Sequence, residues 1–157
     1  MFRQIVRSRQ AIPREECIEI LQREKRGVLA LLGDGDYPYA VPHNHYYCPE
    51  DGKLYFHSGK SGHKIDAIRR CDKASYCVYG EGTPTDTWAL RFQSVIVFGR
   101  VEIVEDRETV AEMSRRLSRQ FTDDEAYIRT EIDRFLDNTL LFALTPEHIT
   151  GKRIKEE

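Results

Sequence analysis

What the sequence lacks narrows the field before any motif is read. No apolar run approaches the ~20 residues of a membrane-spanning helix, and no continuous apolar segment follows Arg3, Arg7 and Arg9. The expectation is a soluble, unexported chain in the cytoplasm, with no membrane partner. A basic excess is also missing: 24 Lys and Arg stand against 26 Asp and Glu, a formal net charge of −2, so nothing in the electrostatics favours a nucleic-acid partner. The cysteines Cys17, Cys48, Cys71 and Cys77 are sparse and form no C-x-x-C pair, which fits reduced packing thiols rather than a disulfide framework. Repeats, low-complexity tracts and linkers are absent. The 157 residues, 40% hydrophobic and 10% aromatic, are therefore expected to form a single domain over 1–157.

Two further absences remove sharper readings. Gly59-Lys60-Ser61 resembles the end of a Walker A loop, but the glycine that loop needs five residues earlier is Leu54. His43-Asn44-His45 spells the name of a nuclease class, which describes a dispersed constellation rather than adjacent letters. Neither stretch carries that chemistry.

Apolar spacing organises what is present. Cys17, Ile18, Ile20 and Leu21 predict a helix from Pro13 to about Arg26, and Gly27–Leu32 reads as a fully buried strand. Pro38–Tyr47 is extended and aromatic, and Pro38 and Pro42 suit an edge strand or bulge rather than a central strand. A hairpin through Pro49–Gly52 leads into Leu54–His57, where Leu54 and Phe56 share one face and Tyr55 and His57 the other. A helix at about Lys64–Cys71, a strand at Ala74–Tyr79 and a polar loop at Gly80–Thr87 follow. Gln93–Val104 is the longest predicted strand; Val95, Ile96, Val97 and Phe98 are apolar on both faces, so each face needs a cover. Helices over Asp106–Phe121 and Asp124–Phe135 and a last strand at Thr139–Leu144, before Pro146, complete the pattern. Trp88 is assigned to the core. Hairpin-linked strands with late helices indicate a small antiparallel barrel with helical additions.

The stretch Leu54–Lys64 has the anatomy of an anion site. Gly59 and Gly62 allow the backbone to turn, a helix start aims free N–H groups at one point, and Lys60, His63 and Lys64 bring basic side chains. The strand kept open by Pro38 and Pro42 offers backbone groups to a second part of a ligand.

The ordered series Gly27–Leu31, Tyr37–Tyr46, Leu54–Gly59, Gly62-His63-Lys64, Ser94–Val101 and Thr150–Lys152 resembles the flavin-binding split-barrel proteins related to pyridoxamine-phosphate oxidase, with the nitroimidazole-resistance branch nearest. The resemblance spans roughly residues 15–152. It implies a mainly β fold with added helices, a six-stranded antiparallel split β-barrel, and a homodimer holding FMN between subunits. By the same resemblance the phosphate falls on Ser61, Gly62, His63 and Lys64, and the ring along Pro42, His43, Asn44 and His45. His57 and Ser58 lie beside the ligand, and Gln93 and Ser94 near the partner's flavin. Where relatives carry Gly-Arg-Lys, this chain has Gly-His-Lys; His63 lacks arginine's permanent charge and fork, so affinity is expected to fall as the imidazole deprotonates.

The implied function is an FMN-dependent oxidoreductase reducing a small planar or nitroaromatic compound. NAD(P)H would bind only transiently, since no Rossmann motif is present, and His57 is the candidate proton donor. The alternatives are a flavin-binding module without turnover and a haem-binding split-barrel protein. His43 and His45, with His57, His63 or Cys48, also permit zinc or axial haem ligation, though no tight Cys/His spacing supports a closed metal site, and none is assigned.

Overall fold

The computed structural model describes residues 2–155 of the chain. A two-residue strand β1 (Ala11–Ile12) leads through Pro13 into helix α1 (Arg14–Arg23), which buries Cys17, Ile20 and Leu21. These positions are three and four residues apart, so they form one stripe. The strand β2 (Arg26–Leu32) follows; Leu29 and Leu31 are buried while Val28, Ala30 and Leu32 are only half-buried. It is therefore covered on one face more than the other, not sealed on both as its unbroken apolar run predicts.

The strands β3 (Pro38–Asn44) and β4 (Tyr46–Tyr47) are followed by β5 (Leu54–Gly59), α2 (His63–Arg70) and β6 (Lys73–Tyr79). A two-residue β7 (Thr83–Pro84) interrupts the polar loop before β8 (Leu90–Val104). The helices α3 (Arg107–Arg119) and α4 (Glu125–Phe135) then precede β9 (Thr139–Lys155). Asp106 caps α3 by accepting from the Thr109 N–H at 2.8 Å, and Asp124 caps α4 by accepting from Tyr127 N–H at 2.9 Å.

All pairings are antiparallel, and the order is β3-β2-β6-β8-β9-β5-β4, with β1 added to β9 and β7 to β8. Three of the strands are two-residue bridges, leaving the six longer ones that a split barrel requires. β3 is an edge strand, as its prolines require. The curled sheet closes through side chains rather than hydrogen bonds: the His43 ring of β3 meets Phe56 of β5 edge-on at 5.4 Å and Phe142 of β9 at 5.5 Å. Leu29, Phe56, Tyr76, Val97 and Phe142 belong to the interior cluster.

β9 runs far beyond the predicted end at Leu144. Pro146 does not stop it because it lies where the register with β8 shifts between Phe98 and Gly99, a bulge in which a missing N–H costs no regular ladder bond. Gly99 is required there: a Cβ would stand 2.1 Å from the Thr145 carbonyl oxygen. Along β8, Val95 and Val97 are buried, whereas Ile96 and Phe98 are each 39% exposed on the other face. The Phe2 ring touches Phe98 at 5.5 Å and covers part of that face.

Trp88 departs from expectation, since it is 81% exposed on the loop before β8. All four cysteines are free thiols. None of the described helices is long and apolar enough to cross a membrane.

Candidate anion and ligand site

The Gly59–Lys64 turn is built as its sequence demands. Gly62 adopts φ 118° and ψ 169°, a conformation open to glycine, and a Cβ there would meet nothing within 4 Å. Its carbonyl accepts from Ile65 and Asp66, starting α2 and leaving the first-turn N–H groups pointing outward. Lys64 reaches back from that first turn and donates from Nζ to His43 Nε2 at 2.9 Å. Because this nitrogen accepts, the proton of His43 sits on Nδ1, where it donates to the Asn44 carbonyl at 3.0 Å. His43 is thus neutral, and burial against Phe56 and Phe142, with Lys64 adding repulsion, lowers its pKa from 6.5 to about 4. Burial also lowers the pKa of Lys64. His57 is exposed but crowded by neighbouring side chains; this partial desolvation acts first and the Lys64 charge second, both downward.

Lys64 thus has a neutral imidazole rather than a carboxylate for a partner, its charge reaches His57 as well, and no acidic residue is among the causes of the three shifts. Elsewhere the chain pairs its cations readily, as Arg70 with Asp34, Arg100 with Asp72 and Arg116 with Glu112. An anion placed at the α2 N-terminus would supply the missing charge and accept from the free N–H groups.

His45 does not join this cluster. Its ring is fully buried, with Nε2 donating to the Leu21 carbonyl at 2.7 Å and Nδ1 within 2.9 Å of Tyr76 Oη. Its backbone is also committed, to Lys25 O and to Gln120 Nε2. Burial holds its pKa at about 4. The ring-contact role implied for His45 is therefore corrected to a structural one, and the His43/His45 pair needed for metal ligation is not on offer.

The remaining residues sort as follows. Pro42 is exposed on the β3 edge, whereas Asn44 uses its Oδ1 to hold Arg26 at 2.7 Å. Ser58 is half-buried at the end of β5, and Ser61 and Gly62 are exposed. The His63 ring is stacked on Tyr39 at 4.1 Å, and its Nε2 accepts from the Asp34 N–H at 3.2 Å, so only Nδ1 and the backbone N–H can turn to a ligand. Gln93 donates to Glu16 at 2.6 Å and Arg23 lies 3.3 Å from its Oε1; Ser94 is half-buried beside it. Within one chain these two β8 residues make no hydrogen bond to the Lys64 cluster.

His57 shares the Tyr55 side of β5, away from the interior, and lines a cavity of about 310 Å³ under α3 and α4. A second cavity of about 380 Å³ is lined by Lys60, Arg69 and Arg107. The β3 edge itself is open surface.

Sequence reasoning missed Tyr39, Tyr76 and Arg70. Tyr39 carries His63, Tyr76 Oη donates to the His43 carbonyl at 2.7 Å, and Arg70 clamps the preceding turn through the Leu32 carbonyl at 2.6 Å and Asp34 at 3.1 Å. Only Tyr39 had a signal, lying in the Tyr-rich stretch. The partners of Tyr76 and Arg70 come from distant segments.

Across residues 13–153 the sequence matches the family profile described as pyridoxamine 5'-phosphate oxidase. The chain belongs to that family. A search of the curated proteins found no match. Among solved structures, the chain is similar to a candidate 5-nitroimidazole antibiotic resistance protein from Bacteroides thetaiotaomicron, at 22% identity and TM-score 0.78, over 94% of this chain and 90% of that one. It is also similar to an FAD-binding protein from Mesorhizobium loti, at 25% identity and TM-score 0.67, covering 92% and 97%. An FAD and haem binding protein from Mycobacterium smegmatis aligns at 21% identity and TM-score 0.73, covering 92% and 72%. The split β-barrel of the pyridoxamine 5'-phosphate oxidase family is thus the fold of this chain.

Proposed function

We propose that this chain is an FMN-dependent oxidoreductase that reduces a small planar or nitroaromatic compound, working in the cytoplasm as a homodimer with flavin between subunits. The observation that carries the reading is Lys64, bonded to the neutral His43 beside the α2 N-terminus and in no ion pair among the described residues. Membership of the family and the flavin-binding relatives named above support the same reading.

The phosphate contacts alone are too weak. Charge-assisted hydrogen bonds contribute about 1.5–3 kcal/mol each and a helix N-terminus about 0.3–1, against ~8 kcal/mol for micromolar binding before ordering costs. The open edge of β3 at Pro42 and His43 offers the further contact that a ring needs. Ile96 and Phe98, exposed on β8, form an apolar face suited to a second copy, which would bring its Gln93 and Ser94 toward the flavin.

When bound, FMN would supply hydride and electron transfer. The protein's part is to hold the phosphate on Lys64 and the α2 N–H groups, orient the ring, and present His57. With its pKa lowered, His57 is neutral near pH 7 and offers one N–H and one acceptor nitrogen. NAD(P)H is the proposed reductant, bound transiently.

The test is to titrate the protein with FMN, FAD and haemin, following absorbance, then to reduce the loaded protein and mix it with nitroaromatic acceptors in stopped flow. FMN binding with acceptor-dependent reoxidation is expected, and His57→Ala should keep its flavin while slowing reoxidation at least about tenfold. Flavin retention without acceptor-dependent reoxidation would instead describe a binding module, and preference for haemin would overturn the reading.

A further inference from the structure

The cavity beside His57 is more specific than an entrance to a flavin needs to be. It lies between β5, α3 and α4, and its volume of about 310 Å³ is at the lower end for small-ligand sites, so it suits one or two fused rings. Tyr127 and Phe135 line it and are 57% and 42% exposed, with Ile132 adding an apolar wall. Arg134 already lies over the Phe135 ring at 4.9 Å, so one aromatic wall of this cavity receives a cation.

Its polar groups are chiefly acceptors. Glu131 lines the cavity, and whereas Glu112 and Glu125 on the same two helices are tied to arginines, no lysine or arginine ion pair involves Glu131 among the described residues. Ser114 Oγ is shielded from solvent and has no hydrogen-bond partner among the described residues. His57 lines the cavity from β5, across from the two helices.

We propose that this cavity binds a planar aromatic ligand bearing amino or ring N–H groups, as a neutral or cationic species, and that Glu131 sets its preference over carboxylated aromatics. The inference goes beyond the functional reading above: the cavity's preference stands by itself, and an aromatic amine, already reduced, is not the compound that a flavin there would reduce. Glu131 takes the donor or cationic edge, and Tyr127, Ile132 and Phe135 give the ring its apolar wall. The bound ring is then held on the His57 side of β5.

The test uses 2-aminobenzimidazole and benzoate, titrated by calorimetry into the full chain with and without FMN. Binding of 2-aminobenzimidazole at least about tenfold tighter than benzoate is expected, with a loss of about tenfold or more in Glu131→Gln, which preserves shape, and loss of all binding in Ser118→Trp, which fills the cavity. Equal affinity for the two probes, or affinity unchanged in both variants, would overturn the proposal. A flavin-loaded protein that ignores 2-aminobenzimidazole defeats the cavity assignment alone. A protein that binds 2-aminobenzimidazole but no flavin defeats the functional reading alone.

Discussion

His45 and His43 stand two residues apart, both near Phe56, both neutral, and both with pKa values near 4, yet they belong to different kinds of region. Around His45 the Leu21 carbonyl and Tyr76 take up both ring nitrogens inside the core. Around His43 the neighbour is Lys64, a cation held among basic groups next to unused helix N–H groups. A sealed polar group whose needs are met within the chain stabilises the fold; a lysine whose partner is a neutral imidazole, with no counter-charge, calls for something from outside. Burial and low pKa alone do not separate these cases. The sign and origin of the partners do.

The comparison breaks most visibly at His45. His45→Ala strands the Leu21 carbonyl, removes one of two partners of Tyr76 Oη and opens a cavity, so it should cost about 3–5 kcal/mol in urea unfolding while flavin affinity per folded molecule stays near that of the parent. Equal damage to stability and binding would merge the two regions.

Acid should act next most strongly, again through the sealed histidine. The unfolded imidazole takes up its proton near pH 6.5, whereas folded His45 refuses it until about pH 4. Stability is therefore fully present above 6.5 and is lost as pH falls through this window; 2.5 pH units at 1.36 kcal/mol each give about 3 kcal/mol. His43 acts in the same direction, more weakly because it is partly exposed. Unfolding measured between pH 7 and pH 4 should show the loss, with a shallower slope in His45→Gln. Rising stability on acidification would contradict the assignment.

Gly62→Ala should cost about 1–3 kcal/mol, all of it from backbone conformation, because φ is 118° and the new methyl meets no neighbour. It should also weaken FMN, since relaxing the turn moves the α2 N–H groups. Thermal unfolding with and without FMN separates the two effects.

Much of the fold was legible because β8 and β5 follow period-two alternation and because Asp106 and Asp124 are strong helix caps. The edge position of β3 followed from Pro38 and Pro42. The bulge that carries β9 past Pro146 depends on the close approach of Gly99 to Thr145, a contact between distant residues. Trp88 was misplaced because a large apolar ring argues for burial only where chain geometry provides a pocket. At the site, the Gly62–Lys64 turn is local and could be read directly. Whether His43 or His45 was sealed depended on α1 and β6, which reach His45 from 24 and 31 residues away in sequence. Two-residue spacing alone could not tell the two histidines apart.

The central claim is that the cluster around Lys64 awaits a phosphate. The most direct measurement is a paired fluorescence titration with FMN and riboflavin, in the parent protein and in Lys64→Ala. Loss of one charge-assisted contact of about 1.5–3 kcal/mol should weaken FMN by roughly 10- to 100-fold and leave riboflavin nearly unchanged. Equal weakening of both ligands, or no weakening of FMN, would contradict the account.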